Sequence, residues 1–585
     1  MDLVSSFLSK KNINNEEDIK FENYIKGEAK LNSEKQYIIE SSCYFDGNNF
    51  KRHYDENKIL EIHLNNMVFE QDLSFHNVKK LSLIIDDNVK FQRLYIFGCN
   101  ELSLRINGRV KIIDKISINN CKFKQISINN HIDGNIEFQK CEFNDFNLYG
   151  FSNATIKGTF TFDFCEIKEK VNFMNFEFEN KVSFKMSKFK DNIYFNNAHF
   201  KDYVDFHECE FEKIACFYGV RFDKAPNFSQ AIFKGNLNAV NANLNFTFDD
   251  LQERIKQEYE DFNKNIENKK SLDKFANDFR DSFRTFKNAL IKDNNLLDAS
   301  NFHKYELYCK EIELKQNWDK KGENVKNTTD LEKNVSRIRD FVDFLLLGFY
   351  RKLCDHHTDF LKVFNNLILL IALYALFVFG FTWLHDDKLE DTRAILTLFG
   401  FFDKFRLYFD IISAIFVVFG CGFFVCKLNS YEKKNNVSKK QNINFIYIIG
   451  DFWNLTKSLF FASFIPCVFY VLFSLFGFFL NLDKDFGYSL LINTLFVSLY
   501  ICLVYTKSLF FGRYVVLIFS YIGFIIMLIK QPSVIHPLIG KIANESDKFF
   551  NYPSLIVLNI LYTILLALVL FSLQKTARKN SIVPS

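Results

Sequence analysis

The chain is 585 residues long, 48% apolar, with 73 Phe and a formal net charge of only +4. That length exceeds what one hydrophobic core organises, so two or three structural units are expected, and so small a charge gives no reason to expect a nucleic-acid partner. High apolar content with near-neutral mean hydropathy predicts a polar-faced half joined to a membrane half.

Residues 1–58 hold short apolar runs without periodicity and are read as an N-terminal cap, because a repeat array otherwise exposes the unpaired edge of its first coil. The opening "MDLVSSFLSKKNINNEED" lacks the apolar core of a secretory signal, which places this part in the cytosol. The 13 Cys form no CxxC pairs; Cys121, Cys141 and Cys209 are read as small core hydrophobes in a reducing compartment, and no metal or cofactor is expected.

From 59 to 246 the chain repeats an x-apolar-x-apolar unit, irregularly at first, as in Ile62/Leu64, Met67/Phe69 and Leu81/Leu83. It then becomes regular. Phe173, Phe178, Phe184, Phe189, Phe195, Phe200, Phe206, Phe211, Phe217, Phe222, Phe228 and Phe233 are spaced alternately by five and six residues, a period of eleven, and a smaller residue precedes most of them by two positions. On a helix at roughly 100° per residue these positions scatter around the axis, whereas in an extended chain with a corner every five or six residues they all point inward. The pattern therefore predicts a β-solenoid whose interior is built from these twelve rings.

The stretch "NIYFNNAHFKDYVDFHECEF" resembles the pentapeptide-repeat family, in the divergent branch with Phe at the central position. The resemblance implies a right-handed quadrilateral β-helix. Some members imitate DNA with a strongly acidic rod, a role that the balanced outer charge of 59–246 does not suit.

From 249 to 318 the period becomes helical. Leu251, Ile255, Tyr259, Phe262 and Ile266 mark one helix, with Asp249 and Asp250 at its start; Phe275, Phe279, Phe283, Phe286 and Leu290 mark a second; Phe302, Tyr305 and Ile312 mark a third. "FRTFKNALIKDNNLLDASNFHKYELYCKEIEL" resembles the helical hairpin that follows the repeats in membrane-bound members. His303 and Glu306 lie one turn apart, a spacing open to a metal, although a solvated helix face is the expectation.

Residues 319–362 read as a linker and an interfacial helix, with Leu331, Val335, Ile338, Phe341 and Leu345 on one side and Arg337, Arg339, Arg351 and Lys352 nearby, suited to an anionic membrane surface. "LLLGFYRKLCDHHTDFLKVFNNL" resembles the pre-membrane segment of that branch, with His356-His357 where Tyr-Gly is usual. Residues 363–575 hold about six spans, at 363–384, 407–428, 459–482, 488–505, 509–529 and 554–573, with Lys/Arg-rich turns on the side of the termini. Asp410 and Asn493 stand out as polar residues within spans, and there is no potassium-filter or voltage-sensor pattern. No P-loop, GxSxG or HExxH is present, so no catalytic residue is expected.

The expected protein is a multi-pass protein of a bacterial inner membrane that presents a cytosolic solenoid as a scaffold. Its partners are the lipid bilayer and a protein of unknown identity, with self-association left open. The alternative is an oligomeric channel or transport-related protein regulated by the solenoid.

Overall fold

The computed structural model describes residues 29–31, 37–39, 43–46, 59–147 apart from short breaks, 155–264, 270–319, 330–384, 450–468 apart from short breaks, 484–505, 510–530 and 553–578. These form two compact units, Met1–Phe344 with Asn580–Ser585, and Leu345–Lys579.

The first unit is a β-solenoid closed by helices. One column of partners runs Leu60, Leu81, Leu102, Phe123, Phe143, Ile167, Phe189, Phe211, Phe233, each paired in parallel with the next. A coil thus takes 20 to 24 residues in the irregular stretch and settles at 22 from Ile167 onward, two eleven-residue periods per coil.

Strand length separates the two stretches. Up to Gln139 the strands are long, as in Met67–His76, and turn the corner within a strand through a register shift between Phe69 and Asp72. In the regular block the strands are two residues long and separate into four sheets, which we name by a member strand: the Val182–Ser183 sheet, the Lys188–Phe189 sheet, the Glu177–Phe178 sheet and the Val171–Asn172 sheet.

The corners explain the alternation of five and six. After Phe173, Phe184, Phe195, Phe206, Phe217 and Phe228 the chain closes a tight turn in which the amide three residues on donates to the Phe carbonyl at 3.0–3.3 Å. The second residue of each turn after the Phe has positive φ: Asn175, Met186, Asn197, Glu208, Gly219 and Gln230. This is the geometry of a turn that needs a left-handed residue at its third position. Asn and Gly suit it, whereas Met186, Glu208 and Gln230 adopt it against their preference. The other corners have no such bond and use one more residue.

The rings stack in four columns. Phe173, Phe195 and Phe217 lie 5.1 Å apart at 7° and 11°; Phe184, Phe206 and Phe228 lie 5.0 and 4.6 Å apart at 9° and 7°. Rings of adjacent columns meet edge to face, as Phe206 does Phe217 at 87°, so each ring gains both favourable aromatic geometries. A further interior column, Cys99, Cys121, Cys141, Cys165, Ser187 and Cys209, packs beside them. The Cys209 thiol donates to the Phe184 carbonyl at 2.8 Å and the Ser187 hydroxyl to that of Phe162 at 2.6 Å. These positions are therefore donors as well as small hydrophobes, and burial pushes the Cys209 thiol well above its ordinary range, leaving it without thiolate character.

At the N-terminal end further strands extend one of the two long sheets. Tyr37–Ile39 and Cys43–Asp46 pair with Met67–His76, and Ala29–Leu31 pairs antiparallel with Tyr37–Ile39. At the far end come helices α1 (Phe248–Asn263), α2 (Leu272–Lys292) and α3 (Leu296–Asp319). Thr247 caps α1 in a reciprocal box with Asp250, so that the cap lies two residues before Asp249 and one of the two acidic residues read from the sequence takes part in it. Phe286 of α2 sets its ring on Phe228 at 4.6 Å and on Phe217 at 5.7 Å, continuing the ring columns into the hairpin. The Tyr305 hydroxyl of α3 donates to the Phe246 carbonyl at 2.8 Å.

The second unit contains the end of α4 (Asp330–Cys354) with α5 (Phe360–Leu384), α6 (Lys484–Tyr505), α7 (Phe510–Lys530) and α8 (Pro553–Ala577). Among the described residues two helical stretches, Phe360–Val378 and Leu555–Ala577, are long and apolar enough to cross a membrane. The spans expected at 407–428 and over most of 459–482, with Asp410, lie outside the described residues. Polar residues within these helices are more numerous than the sequence reading held. Tyr374 donates to Asn559 and stacks on Tyr562 at 3.9 Å, and the Tyr521 hydroxyl donates to Asn365 at 2.8 Å. These bonds join the apolar helices to one another.

Phe195→Asp, a charge among stacked rings, should lower stability by about 4 kcal/mol or more, while exposed Asn172→Asp leaves the thermal or denaturant midpoint unchanged; equal midpoints would refute the inward assignment. Met186→Gly should raise the unfolding free energy by about 1 kcal/mol by removing the left-handed penalty, read from the shift in denaturant midpoint.

Candidate functional site: the outward faces of the solenoid

The twelve Phe singled out from the sequence are the interior. From Phe173 to Phe228 each is at most 4% exposed, and Phe233 is half-buried beneath Phe286. None is available to a partner, so any recognition surface is made by the residues between them, which alternate outward along each two-residue strand.

On the Lys188–Phe189 sheet the outward residues are charged and consume one another. Lys188 lies 2.9 Å from Glu210 and 3.2 Å from Glu212, Lys190 is 2.5 Å from Glu166, and Lys234 also reaches Glu210. Each exposed pair contributes little to stability, but the column cancels its own field and offers a charged partner no net attraction. On the Glu177–Phe178 sheet the same holds: Lys201 pairs with Glu177 at 2.5 Å, and His199 Nε2 lies 2.7 Å from Asp223 Oδ2.

Helix α1 lies against the Val182–Ser183 sheet. Arg254 stacks over the Tyr203 ring at 3.3 Å. Asp205 is half-buried there; burial pushes its carboxyl up to about 6, partly opposed by the His207 amide that donates to it.

The Val171–Asn172 sheet differs from the other three. Its outward residues are Asn172 and Met174, Tyr194 and Asn196, Cys216 and Tyr218, Asn238 and Val240, none of them charged, with Asp298 of α3 accepting the Asn241 amide at its edge. Met174 is 36% and Tyr218 40% exposed, and Ile214 at the adjoining corner is 40% exposed. The face is also braced. Asn172 and Asn238 accept the amides of Met174 and Val240 at 3.0 and 3.1 Å, Asn241 donates to the Tyr218 hydroxyl at 3.0 Å, and the Lys170 ammonium sits 4.8 Å over the Tyr194 ring. Rigid, neutral surfaces carrying Tyr and Met match the composition of protein-contact cores. Sequence reading missed this face because the eleven-residue frame interleaves its rungs with the polar rungs Ser183/Lys185 and Asp205/His207. Only the 22-residue frame, which the pairing supplies, separates them.

The polar pairs noted in the sequence have structural roles. Glu306 is not on a solvated face: it is 8% exposed and accepts from Arg284 at 2.9 Å and Lys287 at 2.8 Å, with His303 Nδ1 at 3.1 Å. Burial disfavours its charge, but the bonds from His303, Lys287 and Arg284 outweigh that and hold its pKa at about 2. Arg284 and Lys287 thereby tie α2 to α3. His356 and His357 lie in a turn after α4 in which Asp355, His356 and His357 all have positive φ, of 51°, 54° and 68°. His356 is 3% exposed, and His357 Nδ1 lies 3.5 Å from the Cys354 thiol. Among the described residues no group of three or more His, Cys, Asp and Glu is placed to hold a metal ion.

A carboxylate whose folded pKa lies below its ordinary 4.5 stabilises the fold above that value, and the contribution disappears as pH falls from about 4.5 towards 2. Glu306 should therefore supply about 3 kcal/mol near neutrality. Glu306→Gln should lower the unfolding free energy by that order at pH 7 and have little effect near pH 2, measured by denaturant titration at both pH values.

The family model described as pentapeptide repeats matches residues 162–210, in nine copies. The matched stretch is where two-residue strands and 22-residue coils are regular. No curated protein and no solved structure matches the chain. The chain thus carries a pentapeptide-repeat β-solenoid, followed by a helical region that holds, among the described residues, two helices long and apolar enough to span a membrane.

Proposed function

We propose that this protein is a membrane-anchored scaffold, multi-pass in a bacterial inner membrane with the solenoid on the cytosolic side, whose uncharged Val171–Asn172 sheet docks another protein. The observation that carries the reading is the contrast among the outward faces: two cancel their own charge, one lies under α1, and the fourth bears neutral, braced Tyr and Met side chains. Desolvating such a face leaves few polar groups unpaired, so contact area converts more fully into affinity. The apolar helices Phe360–Val378 and Leu555–Ala577 support the anchor.

The test is affinity capture with the full chain from solubilised membranes of its source cell, comparing the natural protein with Tyr194→Glu/Tyr218→Glu. The double variant should fold normally and lose a specific partner, weakening affinity by about 2 kcal/mol or more. Undiminished capture of every partner by that variant would overturn the assignment of the face.

A further inference from the structure

We infer that the middle of α4 is a membrane-interfacial helix that seats its apolar stripe in the headgroup and acyl boundary of a bilayer, with a preference for anionic lipid. This rests on the membrane-anchor reading above and adds a lipid-contacting surface outside the spanning helices.

Ile338, Val342, Leu345 and Leu346 are 58%, 46%, 45% and 49% exposed. At about 100° per residue they fall within an arc of about 100°. Phe349 and Leu353 continue the same stripe; Leu353 is fully buried and Phe349 packs against the same cluster, with Val363, Leu367 and Leu370 of α5. One stripe therefore runs along the helix, covered at its end and bare across its middle. A bare apolar stripe of this size on a water-soluble helix is a liability, and its continuation is a core of apolar helices suited to lipid.

The charges fit the same occupant. Arg339 and Lys352 lie on the two margins of the stripe, where their stems can lie along apolar surface and their cationic ends reach headgroup phosphates, while Asp340 and Asp343 lie towards the opposite side. The join to α5 is built to hold this geometry. The last carbonyls of α4 accept from side chains of α5, Arg351 from Lys362 at 2.8 Å and Leu353 from Asn366 at 2.8 Å. The left-handed turn from Asp355 to His357 brings α5 back against them. A short, strained, hydrogen-bonded turn transmits the orientation of a spanning helix to its neighbour better than a flexible linker does.

The full chain, reconstituted in phosphatidylcholine vesicles with or without phosphatidylglycerol, tests this with a benzophenone side chain placed at 342, 346 or, as control, 343. The chain should float with the vesicles, and photolysis should attach phospholipid at 342 and 346 severalfold more than at 343, with phosphatidylglycerol over-represented. Arg339→Gln/Lys352→Gln should abolish that over-representation while flotation persists. Flotation with adducts only to protein, whether to the same chain or to a second copy, or with equal lipid yield at 343 and 346, would overturn the interfacial helix and leave the anchor standing. A phosphatidylglycerol preference untouched by the double variant would overturn the electrostatic part, and a chain that fails to float would overturn both readings.

Discussion

Parallel backbone pairing between successive coils is the constraint from which the rest of the first unit follows. Strands hydrogen-bonded about 4.8 Å apart place residue i directly beneath its equivalent one coil later, so side chains must tolerate stacking on their own kind. Phe does so without penalty, because rings at 4.6 to 5.4 Å with nearly parallel planes gain contact in every coil. Asn and Gly recur at the tight corners because only a left-handed residue closes that turn cheaply. The same stacking rule orders the outer surface. In the regular block Lys188 lies between Glu166 and Glu210, so that column alternates in sign and neutralises itself.

A stack of this kind must end somewhere, and each end leaves unpaired edges and a bare layer of rings. The hairpin at the far end covers the last rings. Phe286 extends the ring columns, Tyr305 satisfies the carbonyl of Phe246, and the ion cluster around Glu306 fixes α2 against α3. Terminal elements thus have sequences unlike the repeat, because they face rings on one side and water on the other.

In the second unit the Tyr374, Asn559 and Tyr562 contacts and the Tyr521–Asn365 bond join apolar helices. In a bilayer, where burying Leu against Leu gains little, such bonds would supply the orientation that a water-soluble bundle draws from its core. Polar residues in these helices are consequently read as joints between helices, and they do not by themselves indicate a conduit.

The sequence alone determined that Phe173 to Phe233 point inward, that the chain coils, and where coil turns into helix, because period and side-chain direction are local properties of an extended or helical backbone. It showed an eleven-residue period, yet it did not show which rungs share a face, since pairing 22 residues apart is a tertiary fact. The uncharged face of Asn172, Met174, Tyr194 and Tyr218 therefore became legible only after strands were assigned to sheets. The same holds for Glu306 and His303, whose three-residue spacing allows a metal or a solvated face. Burial against Arg284 and Lys287 decided for an ion cluster, because the cost of desolvating a carboxylate is met only by partners that folding brings from another helix.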